Sequence, residues 1–261
     1  MRNKYILLTV SVTLFTLTSC LKSLLCIRGD GIIMTETRRV TSFDQIENST
    51  SFDVIYLKAD TLGIEIRAEQ NILDYIETNV YDNCLEIRTS PGSICLDYNE
   101  KPLITVTSPS LERVVNSGSG VFLADQMSDE TVSVKLSGSG DISIETITGN
   151  YLDIILSGSG DIEIKESTCS NSDCLLSGSG NVTISGECDK AHYKITGSGN
   201  IYSSDLITNT ASIIISGSGS IFTTIEEYLN GLISGSGNIY VSGNPEIDQT
   251  VTGSGRIIKH K

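Results

Sequence analysis

The sequence predicts an all-β solenoid, and three observations carry that expectation. The tetrapeptide SGSG or TGSG recurs eight times, beginning at Ser117, Ser137, Ser157, Ser177, Thr196, Ser216, Ser234 and Thr252. Its spacing of 18 to 20 residues marks stacked units, each burying its apolar face only against its neighbours. Apolar residues also alternate with polar ones on both sides of the tetrapeptide. Examples are Val132, Val134 and Leu136 before it, and Ile142 and Ile144 after it. A period of two means strand, tetrapeptide, strand, and no long stretch has the 3.6-residue period of a helix.

Taken from the start, residues 1–19 read as an export signal. Arg2 and Lys4 precede an apolar run from Tyr5 to Leu17, and small residues lead to Cys20. The run is too short for a membrane span and lacks a following stop-transfer signal. The "LTSC" ending resembles a bacterial lipoprotein signal, in which Cys20 becomes the lipidated first residue. Acyl carbons contributing about 0.8 kcal/mol each would then hold the chain at a membrane surface. Losing Arg2 and Lys4 takes the formal charge from −14 to −16, which repels phosphate backbones and argues against a nucleic-acid partner. Residues 20–36 read as a tether, and the "RGD" at Arg28–Asp30 within it is too short to carry weight.

The domain itself is expected over 37–261, with irregular turns over 37–110 forming a cap and regular repeats over 111–261. In the cap, "IENSTSFDVIYL" (46–57) and "LEIRTSPGSICL" (85–96) are worn versions of strand, Ser/Gly corner, strand. In the regular part, the residues one before and five after the first residue of each tetrapeptide differ by an even number. Inward parity therefore survives the corner. With extended backbone, both glycines point inward, where the opposite wall approaches, and both serines point outward. With positive φ the segment is a turn instead, and sequence does not separate the two. Rungs about 4.8 Å apart would line up Ser139, Ser159, Ser179 and Ser198. Beside them, four residues into each repeat, would stand Asp141, Asp161, Asn181, Asn200 and Asn238, which can hydrogen-bond along the stack. These residues are the predicted polar binding stripe; the bland alternative is that they only stabilise the coil. At the far end, Arg256, Lys259, His260 and Lys261 charge the terminal rung and discourage edge-to-edge growth.

Chemistry has little support. Calcium-binding rolls use a GGxGxD nonapeptide, which is absent, although Asp141 and Asp161 stand one above the other. No CxxC pair exists, and His192 and His260 are the only histidines; no metal, cofactor or catalytic residue is predicted. His192 falls on an outward position. Cys169 and Cys188 are 19 residues apart, which matches the local rung spacing and makes them a candidate disulfide. Cys84 and Cys95 flank the "TSPGS" corner and form a second candidate.

Four segments together resemble a known family: "RRVTSFDQIENSTSFDVIYL" (38–57), "ILDYIETNVYDNCLEIR" (72–88), "LITVTSPSLERVVNSGSG" (103–120) and the GSG[DN]I repeats. They are similar to the putative auto-transporter adhesin head GIN domain family over about residues 38–245. The resemblance implies a single-stranded, right-handed parallel β-helix in an exported or lipid-anchored protein, and it brings no catalytic residues. The expectation is a non-enzymatic lipoprotein anchored to the outer membrane, on its periplasmic side or at the cell surface. It would bind a glycan or an envelope or host protein. The alternatives are a self-associating envelope scaffold and, less favoured, a polysaccharide-active enzyme.

Overall fold

A computed structural model describes residues 26–90 and 95–259. It forms a β-solenoid of about seven turns. Strands β1 (Ile27–Arg28) to β9 (Leu103–Ser108) build the closed end. Between them lie β2 (Ile33–Arg38), β3 (Gln45–Asn48), β4 (Asp53–Lys58), β5 (Gly63–Glu69), β6 (Ile76–Tyr81), β7 (Cys84–Thr89), β8 (Leu96–Asp97) and the single helical turn α1 (Gln70–Leu73). The regular coil begins with β10 (Arg113–Asn116), β11 (Phe122–Ser128), β12 (Thr131–Leu136), β13 (Ile142–Thr148) and β14 (Tyr151–Leu156). It continues through β15 (Ile162–Leu176), β16 (Val182–Ile195), β17 (Ile201–Ile215) and β18 (Ile221–Ile233). It ends in β19 (Ile239–Ser242), β20 (Glu246–Val251) and β21 (Ile257–Lys259).

Every neighbouring pair in the regular coil is parallel and offset by one repeat, with the register shifting by bulges within the β15–β16, β16–β17 and β17–β18 pairs. Ile142 stands opposite Ile162, Ile162 opposite Val182 and Val182 opposite Ile201. On the wall before the corner, Ile154, Cys174, Tyr193 and Ile213 form the matching row. The apolar residues predicted to face inward are buried, including Val132, Val134, Leu136, Ile142, Ile144, Leu152, Ile154 and Leu156. The hydrophobic effect thus fixes the register, because a slip of one residue would turn every inward side chain outward.

The cap is built differently from the sequence expectation. The 46–57 segment does form strand, corner, strand, but it is not the bottom turn. β3 pairs in parallel with β7 below and β10 above, and β4 pairs likewise with β9 and β11. A later stretch of chain therefore lies beneath an earlier one. Below it the ladder turns antiparallel: β5 pairs with β9, β2 with β5, and β6 with β7. Helix α1, with Ile72 and Leu73 buried, packs among them. Antiparallel strands and a helical turn cover an edge that would otherwise present unpaired backbone groups.

Two expectations about this end are corrected. The tether read over 20–36 is already part of the fold from Ile27: β1 pairs with β8 and β2 with β5. The buried Glu69 carboxylate holds this segment, accepting N–H bonds from Gly31 (2.7 Å) and Asn99 (2.9 Å) and one from the Asn99 side chain (2.7 Å). Cys95 forms its disulfide with Cys26 and not with Cys84. Cys84 starts β7 beside the Asp82–Asn83 turn, and β7 carries the chain away from it before Cys95 is reached. The two cysteines therefore do not close a hairpin. Cys20 and the signal lie outside the described residues, as do His260 and Lys261.

Candidate binding surface

The corner decides what the repeat can present. In each regular corner the serines are exposed and the second glycine is buried. Positive φ among the described glycines is confined to Gly31, Gly186 and Gly243, so the left-handed turn is excluded; the tetrapeptide is nevertheless a bend and not extended strand, and of its two glycines only the second is buried. The reason for glycine is not the opposite wall. A Cβ on Gly138 would lie 1.8 Å from the carbonyl oxygen of Gly118, and one on Gly158 would lie 1.9 Å from that of Gly138. The backbone of the rung below occupies the space. That carbonyl is also a hydrogen-bond acceptor, Gly118 taking the N–H of Ser139 and Gly138 that of Ser159, each at 3.1 Å.

The predicted stripe assembles on this corner. Ser139, Ser159, Ser179 and Ser198 form one column along the coil. Asp141, Asp161, Asn181, Asn200, Ser220 and Asn238 form the next, and their oxygens have a specific use. Asp161 N–H donates to Asp141 Oδ1 (2.9 Å), Asn181 N–H to Asp161 Oδ1 (2.6 Å) and Asn200 N–H to Asn181 Oδ1 (3.1 Å). The series continues from Ser220 N–H to Asn200 Oδ1, Asn238 N–H to Ser220 Oγ and Arg256 N–H to Asn238 Oδ1. Each side chain accepts the main-chain amide of the next rung. Asp, Asn and Ser interchange here because all three supply an oxygen at short reach. The column therefore stabilises the coil. Asp141 and Asp161 each keep one carboxylate oxygen outside the ladder, and among the described residues no group of three or more metal-binding side chains assembles.

The outward positions that the coil does not engage vary from rung to rung. Two residues beyond the ladder, Tyr202, Phe222 and Tyr240 stand in register on β17, β18 and β19. Tyr202 and Phe222 stack with centroids 5.1 Å apart, and Phe222 and Tyr240 at 4.6 Å with planes 4° apart. The same column below them reads Thr183, Glu163 and Ser143, one residue per rung. The step from Tyr202 down to the short Thr183 forms one end of a groove of about 480 Å³, lined further by Asp141, Asp161, Asn181 and Glu163. The aromatic column is absent from the sequence expectations, although three successive rungs carry an aromatic residue at one outward position.

On the wall before the corner, Asp153, Asp173 and His192 stand in register on consecutive rungs. His192 is exposed, as expected. Burial pushes the Asp153 carboxyl above its ordinary range, the Ser133 hydroxyl pulls it down, and the Asp173 charge pushes it up. Cys169 and Cys188 are opposite one another in β15 and β16, as their spacing predicts, but they are free thiols with sulfurs 3.0 Å apart, and the expected disulfide is not formed in this structure.

A parallel coil with a closed end, an outward aromatic column and an acidic groove defines a surface-presenting solenoid domain. Over residues 42–245 the chain matches the model of the "Putative auto-transporter adhesin, head GIN domain" family, and it belongs to that family. No curated protein matches it. Among solved structures it is similar to a "putative lipid binding protein" from Parabacteroides distasonis, 28% identical with a TM-score of 0.84. That match covers 90% of this chain and 99% of the other. It also shares its fold with a "putative adhesin" from Parabacteroides merdae (24% identity, TM-score 0.86, 90% and 99% covered). Another from Bacteroides fragilis gives 23% identity and a TM-score of 0.70, with 90% and 100% covered.

Proposed function

We propose that this chain is a non-enzymatic binding module of the cell envelope, held to a membrane by lipid on Cys20, and that its ligand is a glycan. The observation that supports this reading is the column of Tyr202, Phe222 and Tyr240 beside the acceptor-rich ladder. The uncovered face of Tyr202, at the open end of the stack, offers apolar surface to the C–H face of a sugar, while carboxylate and amide oxygens accept from sugar hydroxyls. The family's adhesin description agrees with a binding role. Lipid binding, the description of the Parabacteroides distasonis protein, is the second reading. Outward Ile155, Leu175, Ile214 and Leu232 share one column and favour it, but Lys194 interrupts them, and the interruption favours the glycan.

The test is a glycan array probed with the purified protein, alongside co-sedimentation with phospholipid vesicles lacking any glycan. Binding to array members that a Tyr202→Ala, Tyr240→Ala double variant loses is the expected result. Vesicle binding without array binding would transfer the function to the apolar column.

A further inference from the structure

The aromatic stack is closed along most of its length and open at one end. Phe222 is covered on both faces, by Tyr202 and by Tyr240. Tyr202 has one face against Phe222, while its other side looks toward Thr183, the short residue in register below. Tyr202 is 39% exposed, and its free face looks into the groove that Asp161, Asn181 and Glu163 line. The charge of that groove is one-sided. Asp141, Asp161 and Glu163 are its charged residues. Lys165, two residues beyond Glu163 on β15, lies outside the groove lining and is engaged at 2.5 Å by Glu145, although its charge also reaches Glu163. Asp141 and Asp161 each give one oxygen to the ladder, and Glu163 accepts from the Ser143 hydroxyl at 3.0 Å. Their remaining oxygens can only accept.

Resting on the glycan reading, we infer that the open face of Tyr202 is a subsite for an amino sugar carrying a free ammonium group. The ring stacks on Tyr202 and the ammonium points to Asp161 and Glu163. An acidic sugar would place like charges together, and an ammonium gains both from the carboxylates and from the tyrosine face. A neutral sugar has the stacking but not the charge.

Titration calorimetry of the purified protein with β-linked tetrasaccharides of glucosamine, glucose and mannuronic acid tests this. Expected is about fivefold tighter binding of the glucosamine tetramer than of the glucose tetramer, with no measurable binding of the uronate. Raising salt from about 50 to about 500 mM should close the gap between the first two, because the groove is exposed. Tyr202→Ala should abolish binding of both while Tyr202→Phe keeps it; Glu163→Gln should weaken the glucosamine tetramer alone. Equal binding of glucosamine and glucose overturns the ammonium assignment and leaves the glycan reading standing. Uronate binding, or full affinity in Tyr202→Ala, overturns the subsite. Silence from all three tetramers also overturns it, and the array then decides the broader reading independently.

Discussion

Adding a single methyl group at the corner tests the account of the repeat most directly. In Gly158→Ala the new Cβ would sit 1.9 Å from the Gly138 carbonyl oxygen and 2.9 Å from its carbon. No rotamer relieves this, because the obstacle is backbone. The two rungs must separate locally. Overpacking of this kind costs about 1–3 kcal/mol. Separation also weakens two bonds at the same corner, Ser159 N–H to Gly138 O (3.1 Å) and Ser157 N–H to Leu136 O (2.9 Å), at about 1 kcal/mol each. The expected loss is roughly 3–5 kcal/mol, a large part of the roughly 5–15 kcal/mol that holds a domain together. Because each rung contacts only its neighbours, the damage should also divide the cooperative transition at that interface. Urea unfolding followed by far-ultraviolet circular dichroism measures both effects. Ser159→Ala, which removes a hydroxyl one residue away, is the control and should stay within about 0.5 kcal/mol. If Gly158→Ala unfolds like the control, the glycine column is not set by the rung below and the reasoning fails.

Two further outcomes follow from the cap and the cysteines. Hydrogen bonds, led by that of the Asn99 side chain, hold the Glu69 carboxyl below its ordinary range against the opposing effect of burial. A depressed folded-state pKa contributes stability that is complete above the unfolded value of about 4.3 and is lost as pH falls through the lower folded value. Glu69→Gln should therefore melt below wild type at neutral pH, with the gap narrowing on acidification below about pH 4; parallel curves down to about pH 3 would contradict the assignment. We also expect Cys169 and Cys188 to join as a disulfide after export. Peptide mapping of the protein without reductant should recover the linked pair, and quantitative alkylation of both thiols after unfolding would count against it.

Most of the coil is legible in the sequence because one rule governs it. Even spacing across SGSG keeps inward parity, so strand direction, corner and burial all follow from counting. The same arithmetic places Cys169 over Cys188. It fails where the period is worn. Nothing in "LEIR" says that it lies beneath the earlier "IEN", or that the strand beneath "DVIYL" is "LITVT" and not "CL", which pairs with β1 instead, since imperfect repeats carry no label for vertical order. The Cys26–Cys95 bond joins residues 69 apart through that irregular region, beyond the reach of rung counting. Asn48 and Asn116 show another limit. They occupy inward positions where later rungs have Leu136 and Leu156. They are buried because the Asn48 side-chain N–H₂ bonds to Asn116 Oδ1 (3.2 Å) and that of Asn116 to the Gly120 carbonyl (2.7 Å). The ladder residues are recognisable as a column, but their direction is not: each oxygen serves the next rung's main chain and is not simply displayed to solvent.

That direction separates what the repeat must keep from what it can vary. The glycine positions have no exception from Gly118 to Gly255. A Cβ at any of them would fall within about 2 Å of a carbonyl oxygen of the preceding turn, with Gly197 at 2.1 Å the loosest. The ladder position tolerates exceptions. Val121 has no oxygen to offer Asp141, yet the neighbouring bond from Phe122 N–H to the Asp141 carbonyl forms at 2.8 Å and the coil continues. A ladder bond adds about 1 kcal/mol to a rung whose existence the glycines and the inward apolar rows already determine. The outward columns beyond the ladder are under neither demand, and there the rungs differ most: Ser143, Glu163 and Thr183 give way to Tyr202, Phe222 and Tyr240. A surface made from a repeat acquires a distinct address only where the repeat is broken without breaking the coil, and the boundary between Thr183 and Tyr202 meets both conditions.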